Sequence, residues 1–229
     1  MLRLERRASL LLAASLLGLA PYAHPADQFA HLEKIEWTWA DRPTVIVDRL
    51  PNVLLLGDSI TRGYYDSVVE LLQGKGNVFL FATSAAVGAD MLLEQIRAYA
   101  KMTGVRFDVV HVNNGMHGRT YSEAEYRAQY PSFLETVKRE WPGAKCIVAT
   151  TTPVRADSED GPSNARIVAR NAIASADAAT SGCRIDDQYA LMLRHQDLHD
   201  GNVHYTAAGS RVQAEQVVTG ILPVLEAHP

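Results

Sequence analysis

Asn52-Val53-Leu54-Leu55-Leu56-Gly57-Asp58-Ser59-Ile60-Thr61 is an apolar run that stops at a glycine and turns polar. Four consecutive aliphatic residues do not alternate with polar ones, so the run reads as a short strand buried on both faces. Gly57 permits a sharp turn, and Asp58 or Ser59 is suited to cap a helix after it. Similar runs recur at Val78–Ala82, Asp108–Val112, Lys145–Ala149 and, more briefly, Cys183–Ile185. Between and after them, apolar residues three and four apart predict helices over Tyr65–Leu72, Asp90–Met102, Ser122–Trp141, Ser163–Ala179 and Thr206–Glu226. Ser122 with Glu125 is a capping box that opens the third helix, and Pro142-Gly143 closes it. Strand and helix in alternation predict an α/β fold: three layers, α/β/α, around a parallel five-stranded sheet.

The 229 residues suffice for one such domain. With 47% hydrophobic and 21% charged residues, the chain is of ordinary globular composition. A net charge of −4 gives no basic surplus for nucleic acid or acidic membranes. Arg3, Arg6 and Arg7 precede the apolar stretch Ala8–Ala20, which is too short to span a bilayer, for which about 20 residues are needed. A basic start, a short apolar core and small residues near its end describe a secretory signal over residues 1–20, with Ala23 or Ala26 as alternative cleavage sites. Its removal takes away three basic and one acidic residue and leaves a net charge of −6. The expected product is exported, periplasmic or secreted, and not membrane-bound. Residues 21–50 read as a polar lead-in containing Trp37 and Trp39, and residues 51–229 as one domain.

In open parallel sheets, chemistry sits beyond the carboxyl ends of the strands. Three segments fall there: Gly57–Thr61, Asn113–His117 and the loop around His204. Ser59 lies between a strand and a helix, where backbone N–H groups can stabilise an oxyanion. A serine hydroxyl needs a base to become a nucleophile. His204, in a polar loop before the last helix, is the candidate base. A neighbouring carboxylate would orient its ring.

At this point the chain resembles the SGNH/GDSL hydrolase family. Gly57-Asp58-Ser59-Ile60-Thr61 matches the family's first block, and His204, followed by Tyr-Thr-Ala-Ala-Gly, matches the last. The resemblance covers about residues 52–227. It implies a flavodoxin-like three-layer fold, serine esterase or acylhydrolase chemistry, and no cofactor. Ser59 is then nucleophile and oxyanion donor, and His204 the general base. Gly88 matches the second block, which contributes an oxyanion N–H. The third block departs from Gly-x-Asn: Val112-Asn113-Asn114-Gly115-Met116-His117-Gly118 resembles a branch carrying Asn-x-Gly-Leu-His. His117 is then the side-chain oxyanion donor, with Asn113 or Asn114 in reserve. The last block departs as well. Gly201 stands three before the histidine, where many members have aspartate, so Asp200 is the candidate orienting acid, with Asn202 or a backbone carbonyl as the alternative.

The substrate class implied by family and export is a small-molecule or carbohydrate ester, short-chain or acetyl. Asn113, Tyr64 and Thr152 are candidate substrate contacts. Thr150–Val154 is placed to line the cleft, and Asn171 to brace a loop, while Arg62 and Tyr65 follow the nucleophile. Cys146 and Cys183 fall near the starts of the fourth and fifth expected strands, which would be neighbours in this fold; a disulfide and two buried thiols are both compatible with that. Two rival readings remain. His195, His199 and His204 could serve a metal-dependent hydrolase, though no His-Glu-x-x-His pattern is present. The same scaffold could also act as a carbohydrate O-acyltransferase or binding protein. Oligomeric state, acyl length and alcohol are not legible.

Overall fold

The structure is a computed structural model that describes residues 31–159 and 161–226. The signal expected over residues 1–20, with its alternative cleavage sites, lies outside them.

A six-stranded sheet forms the middle layer. Its strands are β1 (Thr38–Asp41), β2 (Asn52–Gly57), β3 (Asn77–Thr83), β4 (Val109–Val112), β5 (Lys145–Ala149) and β6 (Arg184–Asp186), in the spatial order β1-β3-β2-β4-β5-β6. The helices are α1 (Ser59–Leu71), α2 (Asp90–Thr103), α3 (Glu123–Glu140), α4 (Asn164–Thr180), α5 (Gln188–Met192) and α6 (Ala207–Glu226). β2 to β6 run parallel, as the apolar runs predict.

Successive residues of a strand face opposite sides, and here both sides are covered. Leu54 and Leu56 pack with Phe79, Phe81 and Val110 beneath α2, α3 and α4. Val53 and Leu55 pack with Val78, Leu80 and Val109 beneath α1 and α6. That two-sided burial is why the strands carry unbroken aliphatic runs rather than an alternating pattern.

Three elements differ from expectation: no expected helix covers α5, α1 starts earlier, and β1 makes the sheet six-stranded and mixed where five parallel strands are expected. β1 comes from the lead-in and pairs antiparallel with β3 at the sheet edge, Trp39 opposite Ala82. All four of its residues are exposed, so no apolar alternation announces it. α1 begins at Ser59, six residues before the predicted start. The Asp58 carboxylate accepts from the Ile60 N–H at 2.8 Å and caps the helix. Ile60, Tyr64, Tyr65 and Val68 are buried, so the apolar spacing in fact extends back to Ile60, inside the first turn. Gly57 is required here, because a Cβ at that position would overlap the Thr61 side chain.

The chain leaves β2 toward β3 on one side and later returns to place β4 on the other. The sheet's switch point therefore lies beside β2, whose carboxyl end delivers Ser59. At the opposite end, Cys146 and Cys183 form a disulfide that ties β5 to the approach of β6.

Candidate active site

Ser59 opens α1, and its N–H belongs to the first-turn donors that a helix leaves without intrahelical acceptors. Its Oγ lies 2.8 Å from His204 Nε2, across 145 positions of sequence. His204 begins β8 (His204–Tyr205), which pairs antiparallel with β7 (His199–Asp200) in a small hairpin. Gly201, at φ +75°, makes the turn.

Two contacts lock the hairpin internally and two tie it to the 153–156 segment. The ring of His199 stacks on Tyr205 with centroids 4.2 Å apart. Its Nδ1 lies 3.2 Å from the His204 carbonyl; because a carbonyl only accepts, Nδ1 carries the hydrogen. Burial holds the His199 imidazole below its usual pKa, the bond to the His204 carbonyl works against that, and Arg155 adds to it. Tyr205 Oη donates to the Pro153 carbonyl at 3.0 Å, and Asn202 Oδ1 accepts from the Ala156 N–H at 2.9 Å.

Asp200 and His204 are cross-strand partners. The Asp200 side chain is exposed, and among the described residues no hydrogen bond or ion pair joins a carboxylate to the His204 ring. The expected orienting acid is therefore not engaged. Asn202 is spent on the 156–158 loop instead. The hairpin backbone and the Ser59 contact hold His204.

Ser59, His117 and His204 line one open cavity of about 200 Å³, together with Glu33, Met116, Arg119, Pro162 and Val203. His117 is carried by the 113–118 loop, whose backbone is clamped from beneath. Arg170, 1% exposed, donates from its guanidinium to the carbonyls of His117 (2.6 Å), Gly118 (2.8 Å), Tyr121 (3.1 Å) and Gly115 (3.2 Å). Burial and then Arg166 lower the Arg170 pKa from its ordinary value, while Tyr126 and Glu123 oppose them. Tyr126 Oη donates to the Asn114 carbonyl.

Both asparagines of the loop are structural in this geometry. Asn113 Nδ2 donates to the Ala149 carbonyl at 2.8 Å and to Thr151 Oγ1 at 3.1 Å. Asn114 accepts from the Val87 N–H at 3.0 Å and donates to the Ala85 carbonyl at 2.9 Å. Asn171 braces Thr151 at both its N–H and its carbonyl, each at 2.8 Å.

Other expected contacts lie elsewhere. Tyr64 and Thr152 are 2% exposed and, with Asn113, line a cavity of about 10 Å³ beneath α1 that Ser59 does not line. Gly88 lines a separate small cavity with Val87, Asp90 and Leu93, where a Cβ would meet Tyr121 at 2.9 Å. The structure brings neither Gly88 nor Asn114 to the cavity of Ser59. Arg62 turns away onto the face of Trp39, at 3.6 Å from the ring centroid.

The rival metal reading does not find its ligands. His199 is committed to Tyr205 and the His204 carbonyl, and His204 to Ser59. Among the described residues, no three His, Cys, Asp or Glu side chains are placed to hold an ion.

Two residues at the site escape sequence reasoning. Arg170 follows the spacing of the buried α4 face, Ile167–Arg170–Asn171–Ala174, so a charge on an apolar stripe was its signal. Glu33 left none. It sits in the lead-in, with Oε1 3.5 Å from His117 Nδ1 and 3.3 Å from the Gly118 nitrogen, which donates to it. Oε2 is 3.7 Å from Arg119.

Comparison with known proteins agrees with this architecture. A search of curated proteins finds no match. Among solved structures, a lipase/acylhydrolase from Enterococcus faecalis is 20% identical with a TM-score of 0.60, covering 76% of this chain and 96% of that one. The acetylxylan esterase Axe2 from Geobacillus stearothermophilus is 18% identical with a TM-score of 0.59, covering 75% and 94%. The acetyl xylan esterase AlAXEase is 16% identical with a TM-score of 0.58, covering 74% and 99%. At these identities the likeness is one of fold. The model of the GDSL-like lipase/acylhydrolase family matches residues 55–212, from within β2 through His204 and into α6. The chain belongs to that family and is a carboxylic ester hydrolase.

Proposed function

We propose that this hydrolase cleaves short-chain or carbohydrate O-acyl esters, acetyl esters above all, through an acyl-enzyme on Ser59. The observation that carries the reading is the 2.8 Å separation of Ser59 Oγ and His204 Nε2 in an open cavity.

His204 Nε2 accepts the Ser59 proton as Oγ attacks the ester carbonyl. The carbonyl oxygen becomes an oxyanion, for which the Ser59 N–H and the His117 ring are the donors within the cavity. As the intermediate collapses, the imidazolium passes its proton to the leaving alcohol. Water then repeats the sequence: His204 takes its proton, the hydroxide attacks the acyl carbon, and Ser59 recovers its hydrogen. Asp200 does not engage the His204 ring, and the proton transfers fall to the Ser59–His204 pair.

The cavity of about 200 Å³ suits a small acyl group. Two structurally similar proteins are named acetylxylan esterases, which favours an acetylated carbohydrate as the alcohol partner. Export through residues 1–20 belongs to the same reading, and the Cys146–Cys183 disulfide suits an oxidising compartment. Among the described residues no helix is long and apolar enough to cross a membrane.

The test is hydrolysis of p-nitrophenyl acetate by Ser59→Ala, with circular dichroism to verify the fold. Turnover should fall about 10⁴-fold or more. A folded variant that retains turnover would refute the assignment.

A further inference from the structure

Glu33 lies outside the family-matched residues 55–212, yet its carboxylate lines the same cavity as Ser59 and His204. We infer that Glu33 is a positioning residue that sets the His117 ring for oxyanion stabilisation, an inference that rests on the esterase reading above.

The segment that carries Glu33 is anchored to the domain. The Glu33 N–H donates to Glu36 Oε1 at 2.7 Å. Glu36 Oε2 accepts from Ser84 Oγ at 2.6 Å, and the Trp37 N–H donates to that same Oγ at 2.8 Å. His31 stacks on Tyr121 with ring centroids 4.3 Å apart, and β1 closes the sheet edge. The Gly118 N–H donates to Glu33 Oε1 at 3.3 Å, so one carboxylate oxygen faces both the loop backbone and the neighbouring His117 Nδ1 at 3.5 Å. The Trp37 ring meets the His117 ring edge-on, with centroids 6.0 Å apart, and limits its rotation.

A carboxylate oxygen beside Nδ1 decides which form of the ring the site accepts. A ring with its Nδ1 lone pair aimed at Glu33 is disfavoured, because two acceptors would face each other. The ring therefore presents Nδ1–H to Glu33. Nε2, which has no hydrogen-bond partner among the described residues, is left for the substrate. With Nδ1–H on Glu33 the Nε2 of a neutral ring is only an acceptor, so His117 donates to the oxyanion as the imidazolium, whose charge Glu33 balances. Glu33 thus acts through His117 without touching the reacting atoms. The chain has recruited it from a segment that precedes the family's first block.

The experiment is a double-mutant cycle on the full chain with p-nitrophenyl acetate, using Glu33→Ala, Glu33→Gln, His117→Ala and the Glu33→Ala/His117→Ala pair. Glu33→Ala should lower kcat about tenfold with little change in KM, less than the 10²–10³ typical of deleting an oxyanion donor. Glu33→Gln keeps an acceptor for Nδ1–H and the Gly118 N–H, so it should recover part of that loss. In the His117→Ala background, Glu33→Ala should cost nothing further. Equal losses in both backgrounds, or a His117→Ala enzyme as fast as wild type, would overturn the inference. If Glu33→Ala fails to fold, Glu33→Gln carries the cycle against His117→Ala. Ser59→Ala is assayed alongside. An inactive Ser59→Ala with an additive cycle removes only Glu33, whereas an active Ser59→Ala removes the esterase reading as well.

Discussion

The guanidinium of Arg170 donates to the carbonyl of His117 at 2.6 Å, so a buried cation fixes the backbone of a cleft residue. Three more carbonyls, at Gly115, Gly118 and Tyr121, share the same group. Lysine offers a single ammonium in place of a planar fork and cannot serve all four. Arg170→Lys should destabilise the fold by about 2–4 kcal/mol, since buried acceptors lose charged donors. It should also lower kcat/KM for p-nitrophenyl acetate. Urea denaturation and steady-state kinetics measure the two effects. A variant with unchanged unfolding midpoint and activity contradicts the role assigned to Arg170.

His199 gives the hairpin that carries His204 a pH dependence. Its pKa lies below the ordinary imidazole range, chiefly through burial. Its Nε2 is buried without a partner among the described residues, so a proton added there meets no acceptor among them. The unfolded chain therefore binds the proton more readily, and the contribution of His199 to stability is complete above the unfolded value of about 6.5. It is lost as pH falls through the lower folded value. The thermal midpoint should drop between pH 7 and pH 5, and His199→Gln should flatten that drop. Parallel profiles for the two proteins would show that His199 is not responsible.

Beneath the sheet's carboxyl edge, His111 Nε2 and Asp186 Oδ2 lie 2.9 Å apart, both buried. Burial opposes charge on Asp186, but the hydrogen bond and charge of His111, with donors from Gln188 and Gln216, hold its carboxyl below the usual range. The stability this contributes is present above the unfolded carboxyl value of about 3.9 and is lost as pH falls through the folded one. Asp186→Asn removes the charge and sets an NH2 against donors that now meet a carboxylate oxygen, from His111, Gln188 and Gln216, and should cost about 3–5 kcal/mol at pH 7. Chemical denaturation at pH 7 measures it, and a loss under about 1 kcal/mol would contradict the pairing.

The disulfide joins residues 37 positions apart at the strand ends opposite Ser59. Cys146→Ala/Cys183→Ala should cost about 2–4 kcal/mol through the added freedom of the unfolded chain. Specific activity of the folded variant should stay close to wild type. Loss of activity without loss of stability would place the disulfide in the catalytic machinery, against the geometry.

What was readable in the chain divides along physical lines. Val53–Leu56 and its parallel counterparts are legible because both faces of the sheet are covered, which leaves unbroken aliphatic runs. Ser59 and His204 are legible as turn chemistry at the carboxyl ends of strands, and the structure brings them together. β1 is not, because an exposed edge strand has no periodic signature. The start of α1 is legible in Asp58 as a cap and in Ile60, four residues before Tyr64, although the expected helix begins only at Tyr65. Asp200 is adjacent to His204 in register, yet adjacency alone does not engage its carboxylate. Tyr64 and Thr152 read as cleft residues by proximity to motifs, but α1 and the end of β5 turn them inward. Glu33 reaches the cavity only through tertiary contacts of the lead-in, which no local pattern encodes.

Esterase chemistry at this site requires that His204 activate Ser59. Labelling with a fluorophosphonate, followed by mass spectrometry of the modified peptide, tests this most directly. The wild-type adduct should sit on Ser59, Ser59→Ala should not label, and His204→Ala should label about 10²-fold more slowly or worse. An adduct on another residue, or a His204→Ala protein that labels at the wild-type rate, would contradict it.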